Sequence, residues 1–202
     1  MGKRIPPLDL LCLLTETPTN PKHVGAVLSF DLPAGRGREM LDKIVATYRA
    51  AKPVAPFSYV PQLLGVGMPQ WKAAGEIDTH YHVQHLALPP GASEADLYKL
   101  VEDLHETVLD RNRPLYRIWF IEGVNGGRSF AIYLKIHHAI VDGASAMMRI
   151  NGSLSADPRT TTGTPFFALA APDRKPRPPA SLIAQINSFN ESTRRRSLAL
   201  KD

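Results

Sequence analysis

Apolar and polar positions along the first 155 or so residues follow two different periods, and each change of period marks a predicted element. Four segments have the pattern and composition of strands, namely residues 23–32, 79–88, 115–124 and 129–136. Three segments have helical spacing, residues 38–51, 93–109 and 144–150, and the short apolar stretch 6–14 predicts one or two further helical turns. Strands and helices mixed in this way predict an α/β layered domain, with a mixed sheet flanked by helices.

Local signals support several of these boundaries. Ser93 and Asp96 have the spacing of a capping box at the start of a helix. The tripeptide 125–127, Asn-Gly-Gly, lies between the last two strands and predicts a hairpin turn. Residues 52–78 hold four prolines and are therefore expected to be irregular.

The composition of the sequence changes after residue 160. Residues 171–180 are Pro-rich and basic, which is typical of a linker. A following segment, residues 182–189, places apolar side chains on one helix face and precedes the arginines at 194–196. We interpret residues 1–160 as one domain, and residues 161–202 as a linker and the start of a crossover helix to a missing C-terminal domain. The alternative for that helix is a position on a membrane surface.

Composition and charge limit the partners and the cellular location that the sequence predicts. The formal net charge is +5, which favours an anionic lipid surface or an anionic substrate. No zinc-finger spacing and no aromatic-basic recognition motif is present, so no nucleic-acid partner is predicted. The single cysteine, Cys12, excludes an intramolecular disulfide and indicates a reducing compartment. Without a signal-peptide pattern or an apolar run near the ~20 residues of a membrane span, a cytoplasmic location is expected.

Residues 137–143, His-His-Ala-Ile-Val-Asp-Gly, lie between the last predicted strand and the helix after it. A neutral imidazole accepts a proton near neutral pH, and a hydroxyl becomes a good nucleophile when a base takes its proton. His138 and His137 are therefore the candidate catalytic residues. Asp142 is expected either to cap the next helix or to pair with a cation, and Gly143 to allow a tight turn. Each residue alone is more often structural, but the four together favour a functional site.

A second histidine pair, His80 and His82, shares one face of the predicted strand 79–88 by period two. That spacing suits two ligands of a metal ion. No cysteine or third close ligand completes the set, so no metal site is predicted.

The H-H-x-x-x-D-G pattern at 137–143 resembles that of the coenzyme-A-dependent acyltransferase superfamily, which includes chloramphenicol acetyltransferase and peptide-synthetase condensation domains. Other stretches narrow the resemblance to the N-terminal part of bacterial wax ester synthase/diacylglycerol acyltransferases. The resemblance covers most of residues 5–155, and the stretches that carry it are Pro7-Leu8-Asp9, Glu16 to Pro21, His23 to Ala26, Tyr81 to Pro89, and Arg113 to Gly123.

The resemblance implies a chloramphenicol-acetyltransferase-like fold and an enzyme that moves a long-chain acyl group from acyl-CoA to a fatty alcohol or diacylglycerol. It implies that His138 is the general base, that His137 shapes the site, and that Asp142 holds the motif through an ion pair. Gly143 would allow the turn, and acyl-CoA would serve as substrate with no further cofactor. Peripheral contact with the inner membrane or lipid inclusions is a further expectation.

Two departures from the family pattern stand out. Residues 114–116 read Pro-Leu-Tyr where the family usually has Pro-Leu-Trp, and family members have about two domains of this size. The chain therefore resembles the N-terminal half of a two-domain enzyme. Two alternatives remain: a non-catalytic lipid- or partner-binding module of the same fold, and a condensation-type enzyme acting on carrier-bound acyl groups. The intact 137–143 motif argues against the first, and residues 16–26 argue against the second.

Overall fold

The computed structural model describes residues 2–33, 35, 37–65, 67–157 and 163–170. Its elements, in chain order, are β1 (Lys3–Arg4), α1 (Pro7–Thr15), β2 (His23–Asp31), α2 (Gly37–Ala50), β3 (Tyr59–Gln62), β4 (Gln70–Ala73), α3 (Thr79–His82), β5 (Val83–Ala87), α4 (Glu94–Glu106), β6 (Tyr116–Val124), β7 (Ser129–His137) and α5 (Gly143–Ser153).

The principal sheet has four strands in the order β2-β7-β6-β5. β5 and β6 are parallel, and the other two pairs are antiparallel. A parallel pair needs a long crossover connection, which α4 supplies between β5 and β6. The predicted mixed sheet flanked by helices is therefore confirmed.

The hairpin of β6 and β7 forms the centre of this sheet. Its turn uses left-handed backbone at Asn125, Gly126 and Gly127, with φ of 52°, 68° and 84°, as the Asn-Gly-Gly sequence predicts. All nine residues of β7 are buried, whereas the period-two alternation of residues 129–136 predicts a half-buried strand. The reason is that apolar residues pack on both faces. α4 covers one face through Leu97, and α2 covers the other through residues such as Leu41.

The region 52–88 differs most from the sequence prediction. Residues 52–78 contain β3 and β4, which form a second, three-stranded sheet with β1. Thr79–His82 is a helical turn rather than the start of a strand, because Asp78 caps it by accepting a hydrogen bond from the Tyr81 N–H at 3.1 Å. His80 and His82 therefore do not share a strand face. The period-two argument for them is wrong.

The compact unit continues to residue 170, beyond the predicted domain end at 160. Phe166 and Phe167 are each 1% exposed and belong to the main core. The buried guanidinium of Arg149 on α5 donates to the carbonyl oxygens of Phe166 and Leu169, at 3.2 and 2.5 Å. The predicted linker at 171–180 and the amphipathic segment 182–189 lie outside the described residues.

Candidate active site

The histidine pair lies at the end of β7, where the strand passes through a short turn into α5. His137 is the last residue of the strand and is fully buried, whereas the side chain of His138 is exposed. The His138 N–H donates to the Lys22 carbonyl at 2.8 Å, which continues the pairing of β2 with β7 by one residue. The backbone of His138 is thus held while its imidazole faces outward.

The ring of His137 is held by a hydrogen bond at one nitrogen and by an ion-pair contact at the other, which lacks the geometry of a hydrogen bond. Nδ1 accepts a hydrogen bond from the Ala139 N–H at 3.0 Å, and Nε2 lies 3.3 Å from Oε1 of Glu16. Since Nδ1 is an acceptor, the proton of the neutral ring sits on Nε2 and faces the carboxylate. Burial lowers the pKa of His137, against the opposing effect of Glu16. The neutral ring therefore holds the turn that presents His138, as expected of a residue that shapes the site.

Glu16 connects three parts of the chain around this ring. It follows α1 directly, and its side chain is only 3% exposed. Oε1 accepts from the Lys22 N–H at 3.0 Å in addition to facing His137, and Oε2 accepts from Nη2 of Arg111 at 3.2 Å. Lys22 is also the residue whose carbonyl holds the His138 N–H. The Glu16 carboxylate thus connects His137, and the segment that holds the His138 backbone, to Arg111 in the segment after α4.

The charge state of Glu16 follows from these partners. Burial alone would raise the pKa of the Glu16 carboxyl. The Lys22 N–H, His137 and Arg111 together outweigh burial and hold the pKa below its ordinary value of 4.5. Glu16 is therefore a carboxylate at neutral pH. Charge-assisted hydrogen bonds of this kind are stronger than neutral ones.

Asp142 caps α5. Its Oδ1 accepts from the Ser145 N–H at 2.8 Å, and its Oδ2 accepts from the Ser145 hydroxyl at 2.9 Å. Of the two roles that the sequence left open, the structure therefore shows the cap. Gly143 is the first residue of α5 and has no left-handed φ. An added Cβ there would meet no described atom within 4 Å, so neither the backbone angle nor the space at this position requires a glycine.

Asp9 on α1 is the second carboxyl group near the motif. Burial, together with the charge of Asp142, raises the pKa of Asp9 to about 6, and Lys3 acts in the opposite direction. The charge of Asp142, at the start of α5, thus acts on a carboxyl group of α1. Both helices also expose large apolar side chains, with exposed fractions between 44% and 65%, at Leu8, Leu11, Leu14, Met147 and Met148. An exposed apolar surface beside a motif is typical of a binding surface.

The structure brings together residues that the sequence analysis treated separately. Glu16 appeared there only within a family-like stretch, and Arg111 did not appear as a candidate. An isolated carboxylate and an arginine 95 positions apart carry no periodic signal of contact. Only the folded chain shows that both surround His137.

The second histidine pair has no part in this site. Nδ1 of the buried His82 lies 2.8 Å from the Tyr116 carbonyl, and burial lowers the pKa of His82 to about 4. His80 is exposed on the helical turn. In the described part of the chain, no group of three or more His, Cys, Asp or Glu side chains has an arrangement that suits a metal ion. Likewise, no helix there has the length and hydropathy of a membrane span.

Comparison with solved structures shows which proteins have a similar fold. A wax ester synthase/diacylglycerol acyltransferase from Marinobacter aquaeolei VT8 superposes with a TM-score of 0.74 and 31% identity, over 83% of this chain and 42% of that protein. The first condensation domain of a calcium-dependent antibiotic synthetase has a TM-score of 0.54 at 16% identity, over 76% of this chain and 37% of the other. The second likeness concerns the fold alone.

Sequence relatives agree with the first of these structures. A diacylglycerol O-acyltransferase, as it is named, from Mycobacterium tuberculosis is 37% identical over 178 residues, which are 87% of this chain and 36% of the relative. One from Mycobacterium bovis is 41% identical over 153 residues, 74% of this chain and 30% of the relative. The chain thus spans about a third of the length of these relatives. The model of the wax ester synthase/diacylglycerol acyltransferase catalytic domain matches residues 5–197, and the chain belongs to that family.

Proposed function

We propose that this chain supplies the histidine-bearing part of an acyl-CoA-dependent O-acyltransferase. In the proposed reaction, His138 takes the proton of an alcohol hydroxyl as the oxygen attacks the thioester carbonyl. A C–O bond forms and the C–S bond breaks. The proton then passes from His138 to the departing thiolate of coenzyme A. General-base catalysis of this kind accelerates a reaction about 10²–10⁴-fold.

The observation that carries the proposal is the contrast between the two histidines. The exposed imidazole of His138 has its backbone N–H fixed by Lys22. The buried His137 accepts a hydrogen bond from the N–H of Ala139, the residue after His138. A base must be held in place and yet reach its substrate. A module that only binds a partner has no need of this arrangement.

The substrates belong to the same proposal. The relatives are named for diacylglycerol and for wax esters, so the acceptor is a diacylglycerol or a fatty alcohol, and the donor a long-chain acyl-CoA. The products are triacylglycerol and wax ester. The exposed apolar side chains of α1 and α5 beside the motif support long hydrocarbon substrates. Acyl-CoA enters as a substrate, and the proposal includes no other cofactor. Reaching such acceptors favours peripheral contact with a membrane or a lipid inclusion.

A second, C-terminal domain completes the proposed enzyme. Exposed His138 and the apolar side chains beside it form one wall of a site, whereas ligand sites bury most of a bound molecule. The relatives are about three times as long as the matched segment. The term "complete enzyme" is used below for residues 1–202 joined to, or co-expressed with, such a C-terminal domain.

The test is an acyl-transfer assay with long-chain acyl-CoA and either a fatty alcohol or a diacylglycerol. Residues 1–202 alone should show no appreciable transfer, and the complete enzyme should form ester. Release of coenzyme A and formation of ester are both measured, so that thioester hydrolysis is distinguished from transfer. Turnover by the 202-residue monomer would contradict the need for a second wall, and no ester from a folded complete enzyme would contradict the proposed activity.

A further inference from the structure

The C-terminal end of α4 is fastened to the sheet by side chains from β2 and β7. Nζ of Lys135 donates to the Leu104 carbonyl at 2.8 Å and also to the Thr107 carbonyl. Nε2 of His23 donates to the His105 carbonyl at 2.7 Å. The last carbonyls of a helix have no partner within the helix, and a cation there interacts favourably with the helix dipole. The ammonium of Lys135 therefore acts as a C-terminal cap supplied from another element.

Burial of the Lys135 ammonium is energetically unfavourable. Lys135 is 2% exposed, and a lysine is almost never fully buried unless it is paired. Burial first, and then the neighbouring charge of Arg117, lower the pKa of Lys135 to about 8, whereas Glu16 acts in the opposite direction. Arg117 is the cross-strand partner of Lys135 on β6. An apolar side chain would fill this position without that cost, so packing alone does not account for the lysine.

The capped end of α4 leads directly to the arginine of the site. Thr107 is followed four positions later by Arg111, which pairs with Glu16 at 3.2 Å. Leu109, between them, is 4% exposed and anchors the connection in the core. Lys135 and His137 also lie two residues apart on β7, on the same face of the sheet. Lys135, on the strand that ends at His137, thus fixes the end of α4 from which the chain continues to Arg111.

We propose that Lys135 is a positioning residue for acyl transfer, because it fixes the end of α4 and so holds Arg111 against Glu16 and Glu16 against His137. The proposal rests on the proposed function, since its kinetic consequence appears at His138. Lys135 itself touches neither substrate nor reacting atoms.

The first test is kinetic and uses Lys135→Met in the complete enzyme. Misplacement of a catalytic group by about 1 Å can cost about 100-fold in rate, so kcat should fall about 10- to 100-fold, whereas KM for acyl-CoA should stay within about twofold. The matched control is Ser93→Ala, which removes the hydroxyl of the capping box at the other end of α4. It weakens the same helix without touching Arg111, so its kcat should remain near the parental value well below its melting temperature. Equal loss in both variants would mean that Lys135 only stabilises α4.

A double-mutant cycle separates positioning from stability. If Lys135 acts through Arg111, Lys135→Met should reduce kcat by no more than about twofold when Arg111 is already methionine, because coupled residues are non-additive. Ser93→Ala combined with Arg111→Met should instead multiply the two single effects. Multiplicative losses for Lys135 and Arg111 would overturn the proposal. If Lys135→Met does not fold, Lys135→Gln, which keeps a donor, is carried through the same cycle.

A spectroscopic test keeps this proposal separate from the proposed activity. In the 202-residue chain, the nitrogen NMR signals of the His137 ring should shift in Lys135→Met and stay unchanged in Ser93→Ala. An unchanged His137 spectrum in Lys135→Met would overturn the positioning role whether or not the complete enzyme transfers acyl groups. A complete enzyme that folds but forms no ester would contradict only the proposed function.

Discussion

Replacing Glu16 with glutamine tests the network behind the histidine pair. Glu16→Gln keeps the shape of the side chain but exchanges one acceptor oxygen for an NH₂ group. The carboxylate accepts hydrogen bonds from the Lys22 N–H and the Arg111 guanidinium, and Nε2 of His137 lies 3.3 Å from one of its oxygens. A glutamine cannot accept from all of them with one oxygen, so at least one donor is left facing the NH₂ group of a side chain that is only 3% exposed.

The magnitude follows from the bonds lost. A hydrogen bond to a charged group contributes about 1.5–3 kcal/mol, and we expect Glu16→Gln to lower the free energy of unfolding by about that amount at pH 7. For a domain of this size, each kcal/mol shifts Tm by about 2–4 °C, so Tm should fall by about 3–12 °C. In the complete enzyme kcat should fall as well, because His137 and the turn lose their fixed position.

The pH dependence has a definite sign. The pKa of Glu16 in the folded chain is lowered relative to its ordinary value of 4.5. The stabilisation from this carboxylate is therefore fully present above 4.5 and is lost as the pH falls through the lower, folded-state pKa. The gap in Tm between the parent and Glu16→Gln should accordingly be constant near neutral pH and should narrow below pH 4.5.

Thermal melts followed by circular dichroism between pH 3 and 8, a range chosen to bracket about pH 4.5, measure both effects. The matched control is Glu39→Gln, which removes the same charge from an exposed pair with Lys43 on α2. Exposed pairs contribute little, so its melting temperature should stay near that of the parent. An unchanged Tm for Glu16→Gln at pH 7, or a gap that persists unchanged into acid, would refute the assignment of Glu16 as the connecting carboxylate.

Two further predictions concern the start of α5 and the segment formed by residues 163–170. Asp142→Ala should lower the free energy of unfolding by about 0.5–2 kcal/mol through loss of the cap, whereas Asp142→Asn should keep most of the cap and lower the pKa of Asp9 from about 6. Melts and a carboxyl NMR titration would show both, and an unchanged Asp9 pKa in Asp142→Asn would contradict the effect of the Asp142 charge on Asp9. Phe167→Ala should cost about 3–5 kcal/mol, the usual cost of truncating a buried phenylalanine, because Phe167 is 1% exposed. A loss under about 1 kcal/mol by denaturant unfolding would show that residues 163–170 are not part of the core.

The sequence predicted the elements whose signals are local. The capping box of α4 and the Asn-Gly-Gly turn of the central hairpin were both confirmed, since each depends on neighbouring residues alone. Residues 52–88 were the least predictable part. The four prolines of residues 52–78 predicted irregular structure, but this region contains the two short strands β3 and β4. Periodicity predicted a strand at Thr79–His82, but this segment is a helical turn that Asp78 caps.

The candidate site was predictable in part. The His-His pair and the cap at Asp142 follow from residue types and their place between strand and helix. Glu16, Arg111 and Lys135 do not, because their partners are distant in sequence. Their contact depends on the register of β2 with β7, which pairs His23 with His137, and on the position of α4 over the sheet. Neither is encoded in a local pattern.

The most direct test of the account is acyl transfer by His138→Ala in the complete enzyme. His138 is exposed and its backbone bond to Lys22 does not require the imidazole, so the variant should melt at the parental temperature. Its rate of ester formation from long-chain acyl-CoA and a fatty alcohol should be about 10²–10⁴-fold lower. Near-parental turnover by a folded His138→Ala enzyme would contradict the role of His138 as the general base.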